Sequence, residues 1–163
     1  MANKKVVLRY LPKRLTKKDK KLQYGMLMKS RNMYKKGKYF TRKALTSYKS
    51  KPSKHIMNAK RLYGVENIGP TDELARATGC SKKALGEIVR KGQGAYYSSG
   101  SRPNQTSQSW GIARLASAIT SGKAAAVDYS ILEKGCKKNS KALTLAKKAR
   151  QKHGHGTRKV PKV

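Results

Sequence analysis

Acidic residues are nearly missing from this chain. Seven Asp and Glu stand against 40 Lys and Arg in 163 residues, a formal net charge of +33. Like charges at that density repel one another, so the compact state needs a counter-charge. Solubility alone is reached at far lower net charge. The shortage of carboxylates also bears on catalysis. Asp19, Glu66, Asp72, Glu73, Glu87, Asp128 and Glu133 are the whole set, and no two stand at an acid–base or metal-binding spacing. No Cys–His or Ser–His pattern marks a nucleophile. The chain reads as non-enzymatic, with no cofactor, no metal and no small-molecule substrate.

Cysteine is almost as scarce, with Cys80 and Cys136 alone. Two distant cysteines make no disulfide framework. With His55, His153 and His155 they still lack zinc-ligand spacing, so two reduced, partly buried thiols are expected. One Phe and one Trp accompany nine Tyr, which fits a small core and half-buried aromatic sites. No apolar run approaches the roughly 18 residues of a membrane span. Val6, Val7 and Leu8 are too few for the apolar region of a signal peptide, which predicts a protein made inside a cell.

What is abundant is base, and it is uneven. Residues 1–60 carry 20 Lys and Arg and one acid, residues 61–135 carry 10 and six, and residues 136–163 carry 10 and none. The net charges are therefore +19, +4 and +10. This divides the chain into a basic N-terminal arm with helical segments, a small helical module, and a basic C-terminal helix with a tail. Cationic arms of this kind engage polyanions. Nucleic acid, double-stranded DNA foremost with ribosomal-type RNA binding as an alternative, is the expected partner, because its phosphates release counterions when neutralised. An anionic membrane surface would serve the same charge.

The predicted fold class is mainly α: a small multi-helix domain, with a helical hairpin or helix-turn-helix plus two to three helices, and basic, partly extended arms. Thr16 and Asp19 begin a helix over residues 17–34 as N-cap and first-turn acid, and Gly37 ends it. Further helical pieces are expected at 41–48 and 54–63. In the middle, Thr71 and Ser81 cap two short helices stopped by Gly79 and Gly92. Residues 92–104 read as a Gly/Ser-rich loop. Ile112, Leu115, Ala116 and Ile119 mark a helix over 107–120, followed by helices at 124–134 and 140–152. Residues 5–11 resemble a strand, and the chain after Gly154 resembles a tail.

Three constellations could carry function. Residues 71–90 have the helix-turn-helix pattern: Ala75 is the small packing residue, Gly79 the turn glycine, and Leu74, Cys80, Leu85 and Ile88 the apolar contacts. The second helix would offer Lys82, Lys83, Arg90 and Lys91, beside Glu87, to a DNA groove. A plain helical hairpin needs the same residues. The second constellation is the loop with Gly92, Gly94, Tyr96, Tyr97, Arg102 and Pro103, followed by Trp110 and Arg114. Its glycines permit close backbone approach, but it lacks the context of a phosphate-binding fingerprint. A packing role for the aromatics is favoured, with Arg114 stacked on the Trp110 indole or bonded to loop carbonyls. The third is the interleaving of bases with Tyr, Met and Leu in residues 9–48, where the tyrosines could stack on bases or pack on protein. Lys13, Arg14, Lys17, Lys18, Lys20, Lys21, Lys35, Lys36, Lys38, Arg42 and Lys43 are candidate phosphate contacts, as are Lys137, Lys138, Lys147 and Lys148.

Several stretches carry a resemblance: YLPKRLTKKDKKLQ at 10–23, KSRNMYKKGKYFTRK at 29–43, KSKPSKHI at 49–56, and KGQGAYYSSGSRPNQTSQSWGIARLASAITSGKAAAVDYSILEKGC at 91–136. The chain resembles an uncharacterised basic protein family of the large nucleocytoplasmic double-stranded DNA viruses, which include algal and amoebal giant viruses. The resemblance implies a setting and carries no catalytic residue. It implies a virion structural protein, a minor capsid or core component that meets other capsid or core proteins, the DNA and an anionic inner membrane. Such a protein would pass through host cytoplasm or nucleus during assembly.

Overall fold

Thr16 does what its position predicts. The Asp19 N–H donates to its hydroxyl at 3.2 Å, and helix α1 (Lys17–Lys35) follows. The computed structural model describes residues 5–155 and Lys162. Within them α1 is followed by α2 (Lys54–Tyr63), α3 (Asp72–Thr78), α4 (Lys82–Ser98), α5 (Ser107–Ala118), α6 (Lys123–Val127), α7 (Tyr129–Gly135) and α8 (Lys141–His153). The protein is mainly α, a small multi-helix fold.

The chain groups into two compact units. Among the described residues, one holds 5–51, 94–107 and Lys162, the other 52–93 and 108–155. These do not coincide with the three segments drawn from charge. Helix α8 buries Ala142, Leu143, Ala146 and Ala149 in the core of the second unit, so its apolar stripe, not its lysines, decides where it belongs. That core is built on Leu74, Leu85, Ile88, Leu115, Ile119 and Leu132, all fully buried. Each such side chain contributes about 1.5–3 kcal/mol through burial. The first unit has its own small cluster of Leu15, Met26, Leu45 and Tyr48, and also buries Leu27 and Tyr96 completely.

Four sequence expectations are corrected. Residues 5–11 form no strand; Leu8–Tyr10 is a single 3-10 turn. Residues 41–48 are irregular chain rather than helix. Asn104 occupies their backbone groups, accepting from Leu45 N–H at 2.6 Å and donating to Leu45 O and Tyr48 O. The helix expected at 124–134 is two helices, α6 and α7, that meet at Asp128. The fourth concerns Gly92 and Gly94. They lie inside α4, which continues to Ser98, so the loop is confined to residues 99–106.

The reason is a helix crossing. A Cβ on Gly92 would come within 2.6 Å of Gly111 Cα, and one on Gly111 within 2.6 Å of Val89 O. The α4 and α5 backbones touch there, and only glycine allows it. Gly92→Ala is expected to cost about 1–3 kcal/mol through overpacking, read from the urea midpoint. Gly25→Ala in α1 is the control, since nothing lies within 4 Å of its added Cβ. There the gain in helix propensity should stabilise by about 0.5–1 kcal/mol.

Candidate nucleic-acid interface

The described residues of the first unit include 19 Lys and Arg and a single acid, Asp19. Asp19 is buried. The Ser47 hydroxyl and the Ser47 N–H both donate to its Oδ2, the latter at 2.9 Å. These bonds hold its carboxyl below the ordinary carboxylate range. The only acidic side chain among the unit's described residues is thus engaged inside it, and no other there offsets the cations at its surface.

Helix geometry arranges part of that charge. The buried face of α1 carries Asp19, Gln23, Met26, Leu27 and Ser30. At 3.6 residues per turn the opposite face carries Lys17, Lys18, Lys21, Lys29 and Lys35, all exposed. From Lys17 to Lys35 this row extends about 27 Å at 1.5 Å per residue. Lys13, Arg14, Lys36, Lys38 and Lys43 are also exposed, and Lys20 is half-buried. The Arg14 guanidinium lies 4.8 Å from the centroid of the Tyr48 ring, and Lys29 Nζ 4.5 Å from that of Phe40.

Arg42 departs from this set. It was expected among the phosphate contacts, but it is 6% exposed. Its guanidinium donates to Ser30 Oγ at 3.0 Å, to Tyr96 O at 2.8 Å and to Ser101 Oγ at 2.8 Å, and its N–H donates to Tyr96 Oη at 2.9 Å. It also lies 3.8 Å from the Tyr96 ring centroid. Burial pushes its pKa down from the usual arginine value. Arg42 is therefore a structural centre that ties α1 to the end of α4 and the residues that follow it.

In the second unit the helix-turn-helix residues fall as expected. The Leu74 N–H donates to Thr71 Oγ1 and the Ala84 N–H to Ser81 Oγ. Gly79 takes the left-handed turn at φ 77°, and Leu74, Cys80, Leu85 and Ile88 are buried. Lys82, Lys83, Glu87, Arg90 and Lys91 are exposed along α4, with Lys82 paired to Asp72 at 3.3 Å. Other elements crowd this hairpin. A Cβ on Gly79 would meet Ser140 Cβ at 2.8 Å. Lys83, Glu87 and Lys91 share a cleft with Ser130 and Lys134 of α7. Lys137, Lys138, Lys147 and Lys148 are exposed on and before α8. The tail expected beyond Gly154 lies outside the described residues, apart from His155 and Lys162.

Two further expectations change. Arg114 has a partner that the sequence reading did not name: its Nε and Nη2 donate to the two carboxylate oxygens of Asp128, each at 2.8 Å. The Asp128 side chain is fully buried, with Lys91 Nζ at 3.9 Å. Cys80 and Cys136 are not free thiols; they form a disulfide. Tyr96 is fully buried, Pro103 is buried, Trp110 and Tyr97 are partly buried, and Arg102 is exposed. Gly94 is helical, with Tyr34 Oη 3.6 Å from where its Cβ would stand. The aromatics therefore pack, as favoured, although on a helix rather than a loop.

Among the tyrosines interleaved with bases in residues 9–48, Tyr34 and Tyr39 frame Lys35, Lys36, Gly37 and Lys38. A model of a family of unknown function, DUF5824, matches residues 8–152. No curated protein and no solved structure matches the chain.

Proposed function

The chain belongs to the DUF5824 family over residues 8–152, and from that premise we propose that it is a non-enzymatic protein that binds nucleic acid, double-stranded DNA foremost, through the phosphate backbone. The observation that carries this reading is the charge balance of the first unit, where 19 bases among the described residues accompany one acid that is itself engaged by Ser47. The exposed lysine row of α1 supports it. Contacts of this kind position a protein without reading sequence. The resemblance to proteins of large DNA viruses suggests the setting, a minor capsid or core component that links DNA, or an anionic inner membrane, to other particle proteins.

A second reading, groove recognition by α4, is favoured by the caps, the Gly79 turn and the buried Leu74, Leu85 and Ile88. One titration separates the two. Affinity for a duplex, measured between about 50 and 200 mM salt, should fall linearly on a log–log plot with a slope of about −0.9 per phosphate contacted. Lys17→Ala, Lys21→Ala and Lys35→Ala should each make the slope shallower by about 1 whatever the sequence. Groove reading instead requires that Lys82→Ala with Lys83→Ala erase a preference between duplexes. A flat salt dependence would defeat both.

A further inference from the structure

Gly37 ends α1 in the left-handed conformation, at φ 74°. The Lys36, Gly37 and Lys38 N–H groups donate to the last free carbonyls, those of Met33, Tyr34 and Met33 again. This turn folds the chain back on the helix and brings Tyr39 beside Tyr34, with ring centroids 6.2 Å apart. Tyr97 completes the cluster. Its ring lies 5.0 Å from that of Tyr39, and nearly parallel to that of Tyr34 at 6.3 Å and 9°. Aromatic groups of three usually sit in a core, where their burial is the gain. This one is open on one side: Tyr39 is 69% exposed and Tyr34 37%.

The Tyr39 ring is thus ordered by two neighbours while much of its surface is bare. The conformational cost of fixing the side chain is met before any partner arrives, which is the condition for a preorganised contact. Lys35, Lys36 and Lys38 are exposed beside it in the chain, and Asp19, the only acidic side chain among the unit's described residues, is held by Ser47. An apolar protein surface gains little from such lysines. A planar apolar group carried on a phosphate chain uses both features.

We propose that Tyr39, backed by Tyr34 and Tyr97 and flanked by Lys35, Lys36 and Lys38, is a stacking platform for unpaired bases of single-stranded nucleic acid. The bases of a duplex are stacked on each other and have no free face for it. This inference rests on the polyanion reading above and adds a strand preference to it. Every base has a π-face, so the platform discriminates little among sequences.

The test uses the full chain and fluorescence anisotropy with four probes of equal length: a deoxy strand, a ribo strand of the same sequence, a blunt duplex and an abasic strand. Tyr39→Ala should weaken one or both base-bearing single strands by about 5- to 100-fold, the range expected when one stacked base is lost. Which strand loses more identifies DNA or RNA as the source. Duplex and abasic affinity should stay within about twofold, and Tyr39→Trp should keep single-strand binding. Thermal melting of each variant separates loss of fold from loss of contact, since Tyr39 is mostly exposed. Equal loss on the abasic strand, or unchanged binding to both base-bearing strands by folded Tyr39→Ala, overturns the platform and leaves the phosphate reading standing. If none of the four probes binds the unaltered protein, both fall.

Discussion

Asp128→Ala is expected to destabilise the protein by about 3–5 kcal/mol, the cost of breaking a buried ion pair from one side. The carboxylate is fully buried, and Arg114 grips it with two bonds of 2.8 Å. Truncation leaves that guanidinium, whose side chain is only 24% exposed, without its counter-charge. The backbone of Asp128 raises the stakes. Its N–H closes α6 on Ala124 O, and its carbonyl accepts from Ile131 and Leu132 at the start of α7. The side chain therefore anchors the joint between two short helices. Asp128→Asn keeps the shape and one acceptor and should cost less. Replacing the pair together, Arg114→Met with Asp128→Leu, should recover much of the loss, because buried pairs often give little net gain over packed apolar groups. Urea unfolding followed by the fluorescence of Trp110, the single tryptophan, reads all three variants, and adding Arg114→Met alone and Asp128→Leu alone completes the double-mutant cycle that isolates the coupling. A cost below about 1 kcal/mol for Asp128→Ala would show that the pair is not what fixes this joint.

How legible the molecule was depended on whether a residue's role was local. Thr16, Thr71, Ser81, Ser140, Gly37 and Gly79 act on backbone groups within a few positions, so helix ends can be read from the chain itself. Gly92 has the same local signature as a stop, but its role is set by Gly111 on another helix. Arg42 looks like its neighbours in a basic run and is told apart only by Ser30, Tyr96 and Ser101. Charge misled about domain limits for a related reason. Residues 94–107 carry one base, Arg102, and no acid, and on charge they sit in the balanced middle. They pack with the N-terminal segment because Tyr96 and Ser101 enclose Arg42 and Asn104 holds the chain at Leu45 and Tyr48. One missed feature did have a signal. Asp128 is the lone acid in the apolar stretch AAAVDYSIL, and a buried carboxylate requires a cationic partner. The candidate site divides the same way. The exposed lysine row of α1 follows from helical period, whereas the Tyr34–Tyr39–Tyr97 cluster needed a turn and a distant helix to assemble.

Loss of the Cys80–Cys136 disulfide should rank beside loss of Asp128. The two cysteines are separated by 56 positions, and closing a loop of that size restricts the unfolded chain by about 4 kcal/mol. For a chain of this size that amounts to a fall in Tm of about 8–16 °C. The bond does not stand alone. Ser81 N–H donates to Gly135 O at 2.8 Å and Lys137 N–H to Gly79 O at 2.9 Å, so the turn between α3 and α4 is fastened to the end of α7 on both sides of the sulfurs. Cys80 is 3% and Cys136 8% exposed, and a thiolate reaches them only after local opening. Reduction should therefore be slow in the native protein and fast in urea, with no thiol alkylated beforehand, as mass spectrometry of the modified chain would report. Cys80→Ala with Cys136→Ala should melt at the lowered temperature with or without reductant. If that double variant melts within about 2 °C of the oxidised protein, which is less than 1 kcal/mol for a chain of this length, the crosslink contributes nothing that the flanking hydrogen bonds do not already supply. The predicted cost also ties stability to surroundings. Disulfides persist where thiols are not kept reduced, so the protein should be sturdier in an oxidising setting than in a reducing cytosol, and the same lysine surface would then be carried on a scaffold whose firmness depends on where it is held.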